Sequence, residues 1–302
     1  PKARFLRHHI LSAVAFSLND MPLCEKHLHQ NELLLHQEAA HFQDEPNLAL
    51  AVLSNLAYVR LRLGRYAEAL DGLKRFKRIP AMLPEVPSPD LEMKVFATAT
   101  SLELAMLGRS GDFGKAVSKT AAIEHRLEQY KGRLGTLRRS GLLFQLAYAH
   151  FGAGDLEKAL RYSHRQLNEG AVDEATEVHS FGRVLNLLIQ VDMDKKDLLP
   201  YALRNTERYL AGAKRDFPLE KAVVELVRQR LKARNADAVR ASYEQLRDVL
   251  VALERDPRER AVYDHFDPLA WVESKLNGRP FAERVRQRAG QRPPGTDDRQ
   301  AA

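Results

Sequence analysis

One six-residue pattern recurs along the chain and limits what it can become. "GRYAEA" sets Gly64, Tyr66 and Ala69 in a fixed order, and "GDFGKA" and "GDLEKA" do the same with Gly111, Phe113, Ala116 and Gly154, Leu156, Ala159. "NDMPLC" offers Asn19, Met21 and Cys24, and "DKKDLL" offers Asp194, Lys196 and Leu199 as a looser version. The last position of the pattern falls at 24, 69, 116, 159 and 199, so successive copies lie 45, 47, 43 and 40 residues apart. A period of that length is the mark of stacked supersecondary units. The first residue ends one helix in a left-handed conformation. The residue two places on plugs the corner. The small residue five places on lets the next helix approach. One such pair cannot bury its apolar faces alone, so neighbours must stack.

Between these turns the chain reads as helix. Phe144, Ala147, Tyr148 and Phe151 recur at three- and four-residue spacing, as do Val223, Leu226, Val227 and Leu231. Alternating strand patterns are absent, and no Asn-Gly or Asp-Gly pair is flanked by alternating apolar residues as a hairpin would need. The expected fold class is therefore all-α. Four prolines in "IPAMLPEVPSPD" (79–90) predict a rigid extended connection, with Ser88-Pro89 capping the following helix. Past residue 216 the repeat fades into a final long helix pair and two Asp-Pro starts, Asp256-Pro257 and Asp267-Pro268. The latter precedes the single Trp, Trp271. The domain organisation expected is helix-pair repeats over 1–216, capping helices over 217–288 that continue the stack, and a disordered Pro- and Gly-rich tail over 289–302.

Composition restricts function less than it restricts fold. Of 302 residues, 44% are hydrophobic and 29% charged, which suits a globular chain with ample core. No apolar run approaches the ~18 residues of a membrane span. One cysteine forms no internal disulfide, so no oxidising compartment is implied, and a cytoplasmic location is expected. The chain opens at Pro1 without an initiator Met or a signal-like apolar segment, which leaves room for sequence upstream. The net charge of +7 comes from 47 basic residues among 40 acidic ones, a mixed surface with a mild bias.

Several stretches invite chemistry and fall short of it. "LGRSGDFGKA" (107–116) has three glycines and Lys115, but Arg109 stands where a phosphate loop needs Gly, and Ala116 where it needs a hydroxyl. Gly111 is in register with Gly64 and Gly154, so an inter-helix turn is the reading. Cys24, His27, His29, His8 and His9 cluster near the start, yet not at the spacing of a zinc ligand set, and Cys24 holds the small packing position of its unit. "YDHFD" is read with Tyr263 and Phe266 facing the core and Asp267 capping a helix, in preference to an acid–base group of Asp264, His265 and Asp267. No catalytic signature, cofactor or metal is expected. The densest basic stretches are "KRFKR" (74–78), "VRQRLKARNADAVR" (227–240) and "RVRQR" (284–288). Arg228, Lys232, Arg234 and Arg284 would form a phosphate-facing stripe if nucleic acid were the ligand. Without an accompanying motif, nucleic acid is the least favoured partner.

"NLAYVRLRLGRYAEALDGL" and "FQLAYAHFGAGDLEKALRY" resemble tetratricopeptide repeats. Leu56, Ala57, Gly64, Tyr66, Ala69, Leu73 and Pro80 carry the likeness in the first, and Leu146, Ala147, Gly154, Leu156 and Ala159 in the second. Looser matches cover 104–123, 6–31 and 183–203. The chain departs from the family in its longer period and in placing Arg60, Leu107 and His150 where a Tyr is usual. The whole chain is also similar to bacterial helical-repeat proteins of no assigned activity that end in a segment like "FDPLAWVESKLNGRPFAE". The resemblance implies a right-handed superhelix of antiparallel helix pairs, about five of them, with a C-terminal helical cap. It implies a concave groove lined by Ser54, Asn55, Tyr58, Leu61 and Arg62 in one repeat, by Phe144, Tyr148 and Phe151 in another, and by Ser101 between them. Tyr58 and Tyr148 take equivalent positions. Each would either meet a ligand or pack against the next repeat. Of the family's clamp for a peptide carboxylate, Asn55 alone is in register. The function implied is a non-catalytic scaffold or adaptor for a protein or peptide. A sensor or regulatory domain of a longer protein is the second reading.

Overall fold

The computed structural model describes residues 1–82, 87–169, 177–195, 197–212, 218–256, 263 and 265–291. They are all-α, with no strand among the described residues. No described helix is long and apolar enough to cross a membrane.

All five expected turn residues take the left-handed conformation: Asn19 (φ 56°), Gly64 (73°), Gly111 (71°), Gly154 (81°) and Asp194 (49°). Each turn closes the same way. The amide following the turn residue donates back to Ala15, Arg60, Leu107, His150 or Gln190, at 2.8, 2.8, 2.9, 3.0 and 3.4 Å. The turn residue's own amide donates three residues back, to Phe16, Leu61, Gly108, Phe151 or Val191. This pair of bonds satisfies carbonyls that the helix end would orphan. The small positions Cys24, Ala69, Ala116 and Ala159 are buried to 2% exposure or less.

The described residues fall into two compact units, 1–106 with Gln291, and 107–290. In the first unit α1 (Lys2–Ser17) packs on α2 (Met21–Gln37), α2 on α3 (Pro46–Arg62), and α3 on α4 (Tyr66–Met82). α5 (Pro89–Arg109) joins through Leu91, Val95, Ala99, Leu102 and Met106, which share a core with Leu50, Leu53, Leu61, Leu73 and Phe76. Ala15, Met21, Cys24 and Leu28 close over Leu56, Val59 and Leu63 of α3. Arg60 is buried against Glu25 of the preceding pair, 3.1 Å away. Arg65 meets the same carboxylate at 2.6 Å.

In the second unit α6 (Phe113–Val117), α7 (Thr120–Gln129), α8 (Thr136–Gly152), α9 (Leu156–Glu169), α10 (Glu177–Asp192), α11 (Leu199–Gly212), α12 (Pro218–Lys232) and α13 (Ala236–Arg255) follow in order. From α8 to α13 each helix packs on the next. Buried amides and hydroxyls fix part of this stack. Gln166 donates to Ser140 at 3.1 Å, Asn186 to Ser163 at 3.0 Å, and Gln190 to Asn186 at 2.7 Å. The unit ends with α14 (Pro268–Asn277) and α15 (Phe281–Gln291).

Several sequence expectations need correction. Ile79–Met82 are not extended: α4 runs through Pro80, held by Phe76 and Ile79 in the core. Residues 83–86 lie outside the described residues. Ser88 does cap α5, accepting from the Leu91 amide at 3.2 Å. The second helix after Gly111 is broken at Ser118 and Lys119 into α6 and α7. α15 continues through Gln291, so residues 289–291 are helical, and the rest of the expected tail lies outside the described residues. Asp256 closes α13, and the segment from Pro257 that it was expected to cap also lies outside them.

Candidate partner-binding groove

On α3 the residues expected to line a groove share one side of the helix. Asn55 is exposed, while Ser54, Tyr58 and Arg62 are half-buried. The Tyr58 hydroxyl accepts from Arg62 at 3.5 Å, and Arg62 donates again to the Asn19 side chain at 3.2 Å. The Tyr58 ring lies 6.1 Å from that of Phe16. Ser54 spends its hydroxyl on the Ala51 carbonyl at 3.2 Å. Ser101 on α5 is half-buried. Leu61 belongs elsewhere: it is buried with Ala57, Ala69 and Leu73 and presents nothing to a ligand.

The equivalent residues of the second unit are covered by the chain's own end. Phe144, Tyr148 and Phe151 are all buried. Phe266 meets Phe144 and Tyr148 edge-on, each at 6.2 Å between ring centres. Phe281 lies 6.2 Å from Tyr148, 5.5 Å from Phe151 and 5.7 Å from Phe113. The Tyr148 hydroxyl accepts from the Asp267 amide at 3.2 Å, so its polar tip is used as well. Of the two roles weighed for Tyr148, packing is the one observed. Trp271 anchors this closure, with its indole N–H directed at Asp192 at 3.2 Å and its ring against Tyr243. Lys275 reaches the same Asp192 at 2.7 Å. Arg286 donates to the Gly111 carbonyl at 3.3 Å, so the turn that resembled a phosphate loop is covered by α15. Lys115 beside it pairs with Asp112 at 3.1 Å.

The remaining candidates separate cleanly. Tyr263 and Phe266 are buried, and Asp267 caps α14 by accepting from the Ala270 amide at 2.8 Å. His265 is exposed, and Asp264 lies outside the described residues. Cys24 is buried, which pushes its thiol up to about 11, with Asp20 and Glu25 adding to the effect. It is therefore a neutral packing group near pH 7. His8 and His27 approach each other at 3.1 Å between Nδ1 atoms. Burial lowers His27 first, and the positive charges of His8, Lys26 and Arg7 lower it further. Among the described residues no three His, Cys, Asp or Glu side chains converge as a metal site would need.

Of the basic stripe, Arg228 is engaged by Glu207 at 2.7 Å and by Glu225 at 3.4 Å. Arg284 is half-buried against Glu273. Lys232 ends α12 and Arg234 follows it, both exposed. Two of the four charges are thus neutralised within the protein. A cleft of about 540 Å³ runs along α9, lined by Glu157, Arg161, His164, Arg165, Glu169 and Lys195. Its charges face one another, Arg165 lying 3.1 Å from Glu169 and 3.3 Å from Glu124. Sequence reasoning gave no sign of this cleft, because it depends on the α10–α11 turn closing beside α9. In comparison with known proteins, the chain matches no family model, no curated protein and no solved structure.

Proposed function

We propose that the protein is a non-catalytic scaffold or adaptor that holds a peptide or partner helix against the α3 side of its first unit. Helix pairs joined by five equivalent left-handed turns support a TPR-like, right-handed superhelical stack of antiparallel pairs. The observation that carries the functional reading is the contrast between two equivalent tyrosines. Tyr148 is sealed by Phe266, Phe281 and Asp267, whereas Tyr58 is only half-buried and lies beside exposed Asn55 and half-buried Arg62. A tyrosine beside an arginine offers an apolar face and polar tips together, which suits an extended peptide.

The test is a displayed peptide library selected on the purified protein, with isotherms for the selected peptides. Tyr58→Ala and Arg62→Ala should each weaken binding about tenfold, near 1.4 kcal/mol, with both variants still folded by circular dichroism at the temperature of the isotherms. No selected peptide, or peptides indifferent to both changes, would remove the reading. Salt-sensitive binding of single-stranded nucleic acid, lost in Lys232→Ala/Arg234→Ala, would replace it with the nucleic-acid alternative.

A further inference from the structure

The cleft along α9 belongs to the second unit, apart from the α3 surface, and its charges do not cancel. Glu157, Arg161, His164 and Asn168 follow one another at intervals of four, three and four residues, so α9 sets them in one row. Met193 and Lys195, in the turn after α10, line the same cleft, and Leu160 adds a second apolar group. Glu169 is met by Arg139 at 2.7 Å and by Arg165 at 3.1 Å. Glu124 is met by Arg165 at 3.3 Å and by Arg161 at 4.0 Å. Three arginines thus share two carboxylates, and Arg161 holds the weakest share. The Lys195 ammonium and the His164 ring have no hydrogen-bonded or ion-paired partner among the described residues. Burial lowers the His164 pKa first, and the positive charge of Lys195 lowers it further. An ammonium and an imidazole that disfavour each other's charge therefore line one cleft, with an under-matched guanidinium beside them.

The cleft, at about 540 Å³, has the volume of a small-molecule site. We propose that it binds a small phosphomonoester, the phosphate held by Lys195, Arg161 and His164 and the body of the molecule lying on Leu160 and Met193. The number of cationic groups selects phosphate. A phosphomonoester carries about −1.5 to −2 charges near pH 7 and three strong acceptor oxygens. That matches two permanent cations and one imidazole able to take a proton, whereas a carboxylate brings one charge and two oxygens. The arginine side of the site is set before a ligand arrives. Arg161 and Arg165 lie 5.2 and 5.8 Å from the centre of the Tyr162 ring, and Tyr162 is itself fully buried. Glu157, exposed and in the first turn of α9, opposes an anion and holds the affinity down.

Calorimetric titration of the full chain with phenyl phosphate, inorganic phosphate and benzoate tests this. Phenyl phosphate should bind about tenfold more tightly than inorganic phosphate, through partial burial of its ring. It should also bind about tenfold more tightly than benzoate, which keeps the ring but has the smaller charge. Lys195→Ala and Arg161→Ala should each weaken phenyl phosphate about tenfold. Glu157→Gln should tighten it about threefold, a gain that a damaged fold does not produce. At pH 7 binding should take up part of a proton, because the anion offsets the effect of Lys195 on His164. The uptake is read from the dependence of the heat on the buffer's ionisation enthalpy, and His164→Gln should abolish it. Phenyl phosphate that fails to bind at about 10 mM overturns the proposal. Binding unchanged in both Lys195→Ala and Arg161→Ala, benzoate binding as tightly as phenyl phosphate, or no gain in Glu157→Gln overturns it equally.

Discussion

At the scale of single residues, the departures from the repeat pattern explain themselves through new partners. Arg60 replaces an expected tyrosine and is matched by Glu25 of the preceding pair. Without Glu25 the buried Arg60 keeps only Glu68, 3.7 Å away. Glu25→Ala should therefore destabilise the first unit by about 2 kcal/mol, as loss of a hydrogen bond to a charged group does, measured by urea unfolding. Replacing Glu25 and Arg60 together with apolar residues should recover much of that loss. His150 replaces the same tyrosine in a later repeat. It stacks on Tyr162 and lies 3.1 Å from Thr120 and 3.4 Å from Asp155. Burial lowers its pKa first; Asp155 opposes this, and Lys158 and Arg161 add to it. The unfolded chain, titrating near the ordinary 6.5, then binds a proton that the folded chain resists. Stability is intact above that value and falls as pH drops below it toward the depressed folded value. The melting temperature should decline between pH 7.5 and 5.5, less steeply in His150→Gln. His27 and His164 shift the same way and keep some slope in the variant. Asp155 is itself lowered, so the stability it adds is intact above its ordinary value near 4 and is lost only as pH falls below it.

At the scale of elements, the turns are the specification, and two glycines separate their costs. Gly154 has φ 81° and open space where a Cβ would go. Gly154→Ala should cost about 1 kcal/mol, the price of a left-handed L-residue. Gly111 has φ 71°, but a Cβ there would meet the Ala282 carbonyl at 2.8 Å and Arg286 at 2.7 Å. Gly111→Ala should cost about 3 kcal/mol, because α15 must move as well. Thermal unfolding of both variants checks the difference. The five turns were readable in the sequence because the left-handed position, the corner plug and the small residue are local. What covers the aromatic residues was not readable. Tyr58 and Tyr148 hold equivalent positions, and the residues that seal Tyr148 come more than a hundred positions later. Nor does the pattern show the break at Ser118 and Lys119, since "GKAVSKTAAIEHRL" holds neither proline nor an interior glycine at that point. Pro80 misleads in the opposite direction. It reads as a stop, yet Ile79 is held in the core and the helix continues to Met82.

At the scale of the whole molecule, two units built from one kind of element differ in what they leave uncovered. The second unit uses its C-terminal helices to close over Phe144, Tyr148 and Phe151. A chain ending at residue 256 should lose that cover, bind a hydrophobic dye strongly and melt at a lower temperature. Trp271→Ala, with its indole buried between Tyr243 and Asp192, should cost 3–5 kcal/mol in the full chain, roughly as large aromatic truncations do. The Asp267–Tyr148 contact spans 119 positions. At a synthesis rate of about 5–20 residues per second, the later residue is made about 6–24 s after the earlier one. For that interval the growing chain carries three uncovered aromatic rings on an otherwise completed stretch of helices. The period of greatest exposure to aggregation, and of greatest attraction for a chaperone, is thus set by how far the cover lies from what it covers.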